Sequence, residues 1–152
     1  MSTTLKRGLL TDILLTTMAS GTAKPVGDTV IPPGGGWAGH PNASNWMPYT
    51  ILSPLSATRS SGPLAHSQSE WQMPYAITAY GIRRDQCELM ADNARVSLET
   101  LVHTVLNLSD HYKVQQIQTV VIGMCGPPDF STDPPIWKQN DQVTIWLTKE
   151  LT

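Results

Sequence analysis

The side chains that could do chemistry are few in this sequence, and their spacing assembles none of the familiar catalytic or metal-binding sets. His40, His66, His103 and His111 are scattered, with no pair at the i, i+4 spacing of a helical zinc site. Histidines so placed are ordinarily surface or helix-end residues. Cys87 and Cys125 form neither a Cys-x-x-Cys pair nor a Cys/His ligand pattern, so both read as free thiols. Asp129 and Asp133 flank a Pro/Ser/Thr-rich turn and could hold a cation, although aspartates in such turns more often cap the local backbone. Gly34, Gly35 and Gly36 could approach a phosphate, but the run continues as Trp37-Ala38-Gly39-His40 and lacks the Lys and Ser/Thr of a nucleotide-binding loop. No nucleophile elbow is present either. The sequence therefore predicts no catalytic, cofactor-binding or metal-binding residue, no cofactor, and a chain that is not an enzyme.

Composition points away from catalysis and towards assembly. The 152 residues fit one domain, 1–152, long enough to bury a core without disulfides or metal. Charged residues make up only 14% of the chain, against roughly 25% in typical soluble domains. A surface short of charge suits a subunit that buries much of its exterior against others. The net charge of -2, with no basic cluster larger than a pair such as Arg83-Arg84, offers no footprint for a phosphate backbone. The leucine-rich N-terminus, Met1–Met18, is broken by Asp12 and several threonines and reads as an amphipathic helix rather than a leader. No stretch reaches the length of a membrane span.

The elements that would position these residues alternate helix and strand between long irregular segments. Leu10, Ile13, Leu14, Thr17 and Met18 recur at helical spacing, with Gly21 as the expected C-terminal cap. Thr22–Pro48 is so dense in Pro and Gly that no regular structure is expected over most of it. Tyr49–Leu55 reads as a strand ending near Pro54, followed by a polar segment, Ser56–Ser69, with a turn at Gly62-Pro63. Trp71, Met73, Tyr75, Ile77 and Ala79 alternate with polar or small neighbours, and Gly81 ends that strand; Pro74 predicts an edge or a bulge. A helix is expected from Arg84 to Leu106, with Cys87, Met90, Ala91, Ala94, Leu98, Leu101, Val102 and Val105 as its apolar stripe and Glu88, Asp92, Arg95 and Glu99 as its wet face. Tyr112–Ile122 is a further strand, Gly126–Asp141 a Pro-rich excursion, and the last strand places Val143, Ile145, Leu147 and Leu151 on one face. The fold class is α+β: one mostly antiparallel or mixed sheet of about four or five strands, two helices on one face, and long Pro/Gly-rich loops.

Several segments in this order carry a family resemblance. They are the N-terminal helix, Lys24-Pro25-Val26-Gly27-Asp28, Trp46-Met47-Pro48-Tyr49-Thr50-Ile51-Leu52, the Ser61-Gly62-Pro63-Leu64 turn, and Tyr75-Ala76-Ile77-Thr78-Ala79-Tyr80-Gly81 leading into Arg83-Arg84-Asp85-Gln86-Cys87-Glu88-Leu89-Met90-Ala91-Asp92. The chain resembles, from end to end, the tail terminator proteins of long-tailed siphovirus-type bacteriophages, the actinobacterial phage type in particular. Cys87, in place of an alanine, and Pro74 depart from the pattern. The resemblance implies a structural virion protein at the head-proximal end of the tail, assembled in the host bacterial cytoplasm. Six copies would form a ring on the tail tube protein, end tail polymerisation, and present a surface to the head-tail connector or stopper protein. Genomic DNA would pass through without specific binding, and no membrane is involved. A head-completion or connector protein of the same neck is the alternative within this class, and a small ligand-binding or enzymatic domain around Gly34 the alternative outside it.

Aromatics set in irregular backbone are the natural partner anchors. Trp37, Phe130 and Trp137, together with Arg59 in the polar segment, are the candidate protein-protein interface, whereas Trp46 directly precedes a strand and reads as core.

Overall fold

The computed structural model describes residues 5–37, 45–56, 58–60 and 70–149, with the strand path alone for 58–60. His40, His66, the turn at Gly62-Pro63 and Leu151 lie outside the described residues. Helix α1 spans Arg7–Thr22, followed by β1 Val26–Asp28, β2 Gly36–Trp37, β3 Trp46–Met47, β4 Tyr49–Pro54, β5 Thr58–Ser60 and β6 Glu70–Gly81. Helix α2 then spans Arg84–Glu99, before β7 Val105–Asn107, β8 His111–Val121 and β9 Trp137–Lys149.

The architecture is α+β. Six strands run in the order β1-β4-β6-β9-β8-β7, β5 joins as a seventh along β6, and β2 and β3 form a separate ribbon. The sheet is mixed because β1 runs parallel to β4 while the other pairs are antiparallel. It has more strands than the four or five expected. The additions, β1, β5 and β7, are three residues each, too short for an alternating pattern to register in sequence.

Strand β6 forms where the alternation is clearest, and its inward side chains Met73, Tyr75, Ile77 and Ala79 are all buried. Pro74 does not bulge this strand, since the β6–β9 register runs unbroken from Glu70↔Thr148 to Gly81↔Trp137, and only on its other side does it meet a local edge. A strand residue points its N–H and C=O to the same neighbour. The Pro74 carbonyl accepts the Leu55 N–H at 3.0 Å, so the missing Pro74 N–H faces the gap between the end of β4 and the start of β5. The proline therefore leaves no ladder bond unmade in the middle of the sheet.

Both helices cover the inward face. Leu10, Leu14 and Met18 of α1 and Ala94 and Leu98 of α2 close over Met73, Tyr75, Ile77, Val143, Ile145 and Leu147 in one cluster. The Tyr75 hydroxyl is satisfied there by Thr11 Oγ1 at 2.9 Å. The last turn of α1 differs from expectation. Gly21 lies inside the helix, and the left-handed cap is Ala23, with φ of 56° and its N–H on Ala19 O at 3.0 Å. Gly21 is small because α1 meets α2 there: a Cβ on Gly21 would overlap Cβ of Ser97. An alanine at a free helical site stabilises by roughly 0.5–1 kcal/mol, whereas overpacking costs about 1–3 kcal/mol. Gly21→Ala is expected to lower the thermal midpoint, with partial recovery on adding Ser97→Gly. A midpoint at or above that of the parent would show that the helices do not touch here.

Helix α2 stops seven residues earlier than its apolar spacing implies. Leu101 N–H bonds Leu98 O and Thr104 N–H bonds Leu101 O in tight turns, His103 takes φ of 70°, and its N–H bonds Val114 O at 2.7 Å. Leu101 and Val102 are half-buried and Val105 starts β7, so the end of the helical stripe is diverted into the sheet. Nothing local forces this turn; pairing with β8 does.

Candidate functional site

The site with the densest polar chemistry joins α2, β9 and the chain leaving β8. Asp141 belongs to β9 rather than to the preceding excursion, and register with Ile77 turns it to the inward face. Its carboxylate is completely buried, and it accepts from Arg95 Nε at 2.9 Å, Gly123 N at 2.9 Å and Gln139 Nε2 at 3.0 Å. Arg95 is not on a wet face as its position in the stripe predicts. Its side chain is only 14% exposed, bent under α2 to bridge Asp141 and Asp92. A buried carboxylate needs this full set of donors, since a bare charge in the interior is prohibitively costly.

Above this anchor lies a cleft of about 420 Å³, with Arg84, Glu88 and Asp92 of α2 on one wall and Ile122, Met124 and Cys125 on the other. Its carboxylates are already partnered, Glu88 with Arg84 at 3.2 Å and Asp92 with Arg95. Cys87 lies behind it, its thiol donating to Ala79 O at 3.3 Å. Burial first, and then Cys125 beside it, push this thiol well above the usual cysteine range, so it stays protonated and unreactive at neutral pH.

The other sequence candidates are placed as local structure. Asp129 accepts the Ser131 N–H at 2.9 Å, a bond that holds its carboxyl below the usual range, and the residue caps its own turn. Asp133 lies within the same Pro-rich stretch, His103 occupies the turn after α2, and His111 starts β8. No group of three or more His, Cys, Asp or Glu side chains suited to a metal occurs among the described residues. The glycine run leads into strand β2, not into a helix whose N-terminus could hold a phosphate. Gly35 instead passes close beneath the Tyr49 ring, where an added Cβ would lie 3.0 Å from the ring's Cγ.

The four candidate interface residues are not brought together. Trp37 is half-buried and packs edge-on against Trp46, with centroids 6.3 Å apart, at the start of an aromatic row that continues through Tyr49 to Tyr80. Trp46, expected in the core, is the half-buried middle of this row. Burial, and secondarily Tyr80, push the Tyr49 phenol up to about 12. Trp137 opens β9 rather than standing in a loop, and it packs against Ala79, Cys87, Met90 and Ala91. Arg59 lies in β5 opposite Trp71 of β6. Phe130 alone among the four is an open apolar surface, 76% exposed at the tip between β8 and β9.

Sequence reasoning missed a larger apolar surface. Strand β8 is buried at its start, through Tyr112 and Val114, and open where it is most apolar: Val120 and Val121 are exposed, followed by Ile122 at 61% and Met124 at 83%. The available signal was the run Val120-Val121-Ile122 directly after Gln115-Gln116-Ile117-Gln118-Thr119, an uncharged segment at the end of a strand. No helix among the described residues is long and apolar enough to cross a membrane. Comparison with models of known protein families and with curated protein sequences finds no match.

Proposed function

We propose that this chain is a tail terminator of a long-tailed bacteriophage: a non-enzymatic virion subunit that closes the tail tube as a six-membered ring, stops its growth and offers a surface to the head connector. The observation that carries this reading is the face of the sheet opposite the helices. Register places Ser53, Gln72, Ala76, Thr78, Asn140, Gln142, Thr144, Trp146, Gln116 and Gln118 on it, with Ile51, Pro74 and the stacked Tyr49 and Tyr80 at the β4 side, and none is charged; Glu70, Lys113 and Lys138 stand only at its ends. A neutral, polar wall suits a channel through which a polyanion must slide, because cationic walls would bind phosphates in a salt-dependent way. The charge-poor composition and the open apolar residues at Ile122, Met124 and Phe130 support the assembly half of the role.

The isolated subunit is expected to be monomeric in dilute solution, with six-membered rings forming on the ends of tail tubes. The decisive experiment removes the protein from a phage that encodes it and measures tail length and head attachment. Tails of abnormal length that fail to join heads support the proposal. Tails of normal length that join heads overturn it, and finding the protein on heads rather than on headless tails favours a connector role instead.

A further inference from the structure

We infer that copies of this chain join side by side, head to tail, with Val30 and Ile31 of one copy packed against Ile122 and Met124 of the next; this rests on the ring reading above. The first observation is exposure at both ends of one sheet. Val30 and Ile31 are 67% and 60% exposed just beyond β1, the first strand of the sheet path, and Ile122 and Met124 stand open just beyond β8, near its other end.

The second observation is height. Gly27 pairs with Ile51, Ile51 with Thr78 and Thr78 with Asn140, so these four residues form one row across the sheet. At one end of that row the chain doubles back, bringing the Val30 carbonyl onto Gly27. At the other end Gly123 lies against the Asn140 carbonyl, flanked by Ile122 and Met124 and fixed by its N–H to Asp141 Oδ1 at 2.9 Å. Both apolar pairs therefore lie at the same level along the strands. A heterologous contact closes into a ring only when the two patches carry no rise between copies, and otherwise makes an open filament.

The third observation is chemical match. Thr29–Trp37 and Val114–Pro128 contain no charged residue, so the two segments meet with no like charges opposed, and the charged side chains of α2 beside Ile122 and Met124 are already paired, Glu88 with Arg84 and Asp92 with Arg95. The outer edge of β8 from Gln115 to Val121 has no ladder partner among the described residues, which leaves backbone groups free to bond the incoming segment.

Two variants test the contact in the full chain. With Ile31→Cys and Met124→Cys together in a Cys125→Ser background, mild oxidation of concentrated protein, alone and on purified tail tubes, is expected to give a ladder of linked species ending at six. Either cysteine alone should give none beyond background. In a disulfide-free format, Met124→Asp should abolish rings seen by electron microscopy, and adding Ile31→Lys should restore them. Rings that form without the ladder and withstand Met124→Asp overturn this contact and leave the ring reading standing. Linked dimers from a single cysteine, with no longer species from the pair, overturn it in favour of a two-fold contact. Protein that forms neither rings nor ladder in either setting overturns both readings.

Discussion

Replacing Arg95 by methionine is expected to cost the subunit about 3–5 kcal/mol, because it leaves the Asp141 carboxylate buried without its cation. Asp141 has no exposure through which water could compensate, and its remaining donors, Gly123 N–H and Gln139 Nε2, are neutral. Against a total stability on the order of 5–15 kcal/mol, that loss is a large fraction. Urea unfolding checks it: the midpoint should fall sharply while the slope stays that of the parent. Arg95→Met combined with Asp141→Asn should recover much of the loss, because the double change removes the orphaned charge along with its partner. A single variant within about 1 kcal/mol of the parent would show that the pair is solvated and holds nothing. The link to function runs through Gly123. Loss of the salt bridge should speed amide exchange at Gly123 and loosen the Ile122–Met124 segment, so ring formation should weaken even at temperatures where the fold persists.

That pair also shows which parts of the molecule the sequence could disclose. Strands with a strict alternation, β6 and β9, and the buried stripe Cys87, Met90, Ala91, Ala94 and Leu98 are local patterns, and each is where periodicity puts it. Met90, Ala94, Leu98, Val143, Ile145 and Leu147 are buried as expected. Arg95 is misplaced by the same reasoning because a helical wheel scores its charge as solvated and cannot see a carboxylate that arrives from β9. Asp141 is misplaced for the reciprocal reason: Lys138-Gln139-Asn140-Asp141 reads as polar loop, yet the residues pair with β6 as strand. The end of α2 depends on hydrogen bonds to β8, and Gly21 on a helix crossing, so neither has a local signature. The setting of the candidate interface residues was hidden for a different reason. An aromatic in irregular, Pro-rich sequence either pins its own loop or anchors a partner; Trp37 packs on Trp46 and Trp137 on the second small core, while Phe130 and the run from Val120 to Met124 at the end of β8 stand open.

Trp137 and Phe130 should therefore behave in opposite ways when truncated. Trp137 packs against Ala79, Cys87, Met90 and Ala91, and its six-membered ring lies 2.9 Å from where a Cβ on Gly126 would be. Removing the indole would leave that small cluster open on one side, since Ala79, Cys87 and Ala91 are short and only Met90 can shift towards the space. Trp→Ala in a core costs about 3–5 kcal/mol, and a half-buried tryptophan should fall at the lower end. Phe130 makes no comparable contact: it is 76% exposed at the tip of the β8–β9 connection. Phe130→Ala should leave the thermal midpoint of the isolated subunit unchanged, within the roughly 0.5 kcal/mol typical of surface substitutions. If it meets a partner, its loss appears only in assembly, as fewer rings on tube ends or fewer tails joined to heads. Thermal melts of both variants, run beside electron microscopy of tails assembled with them, separate the cases. A Trp137→Ala midpoint equal to the parent's would return this tryptophan to the interface. A Phe130→Ala subunit that melts normally and assembles normally would remove Phe130 from the interface and leave the apolar segment after β8 as the surface that partners read.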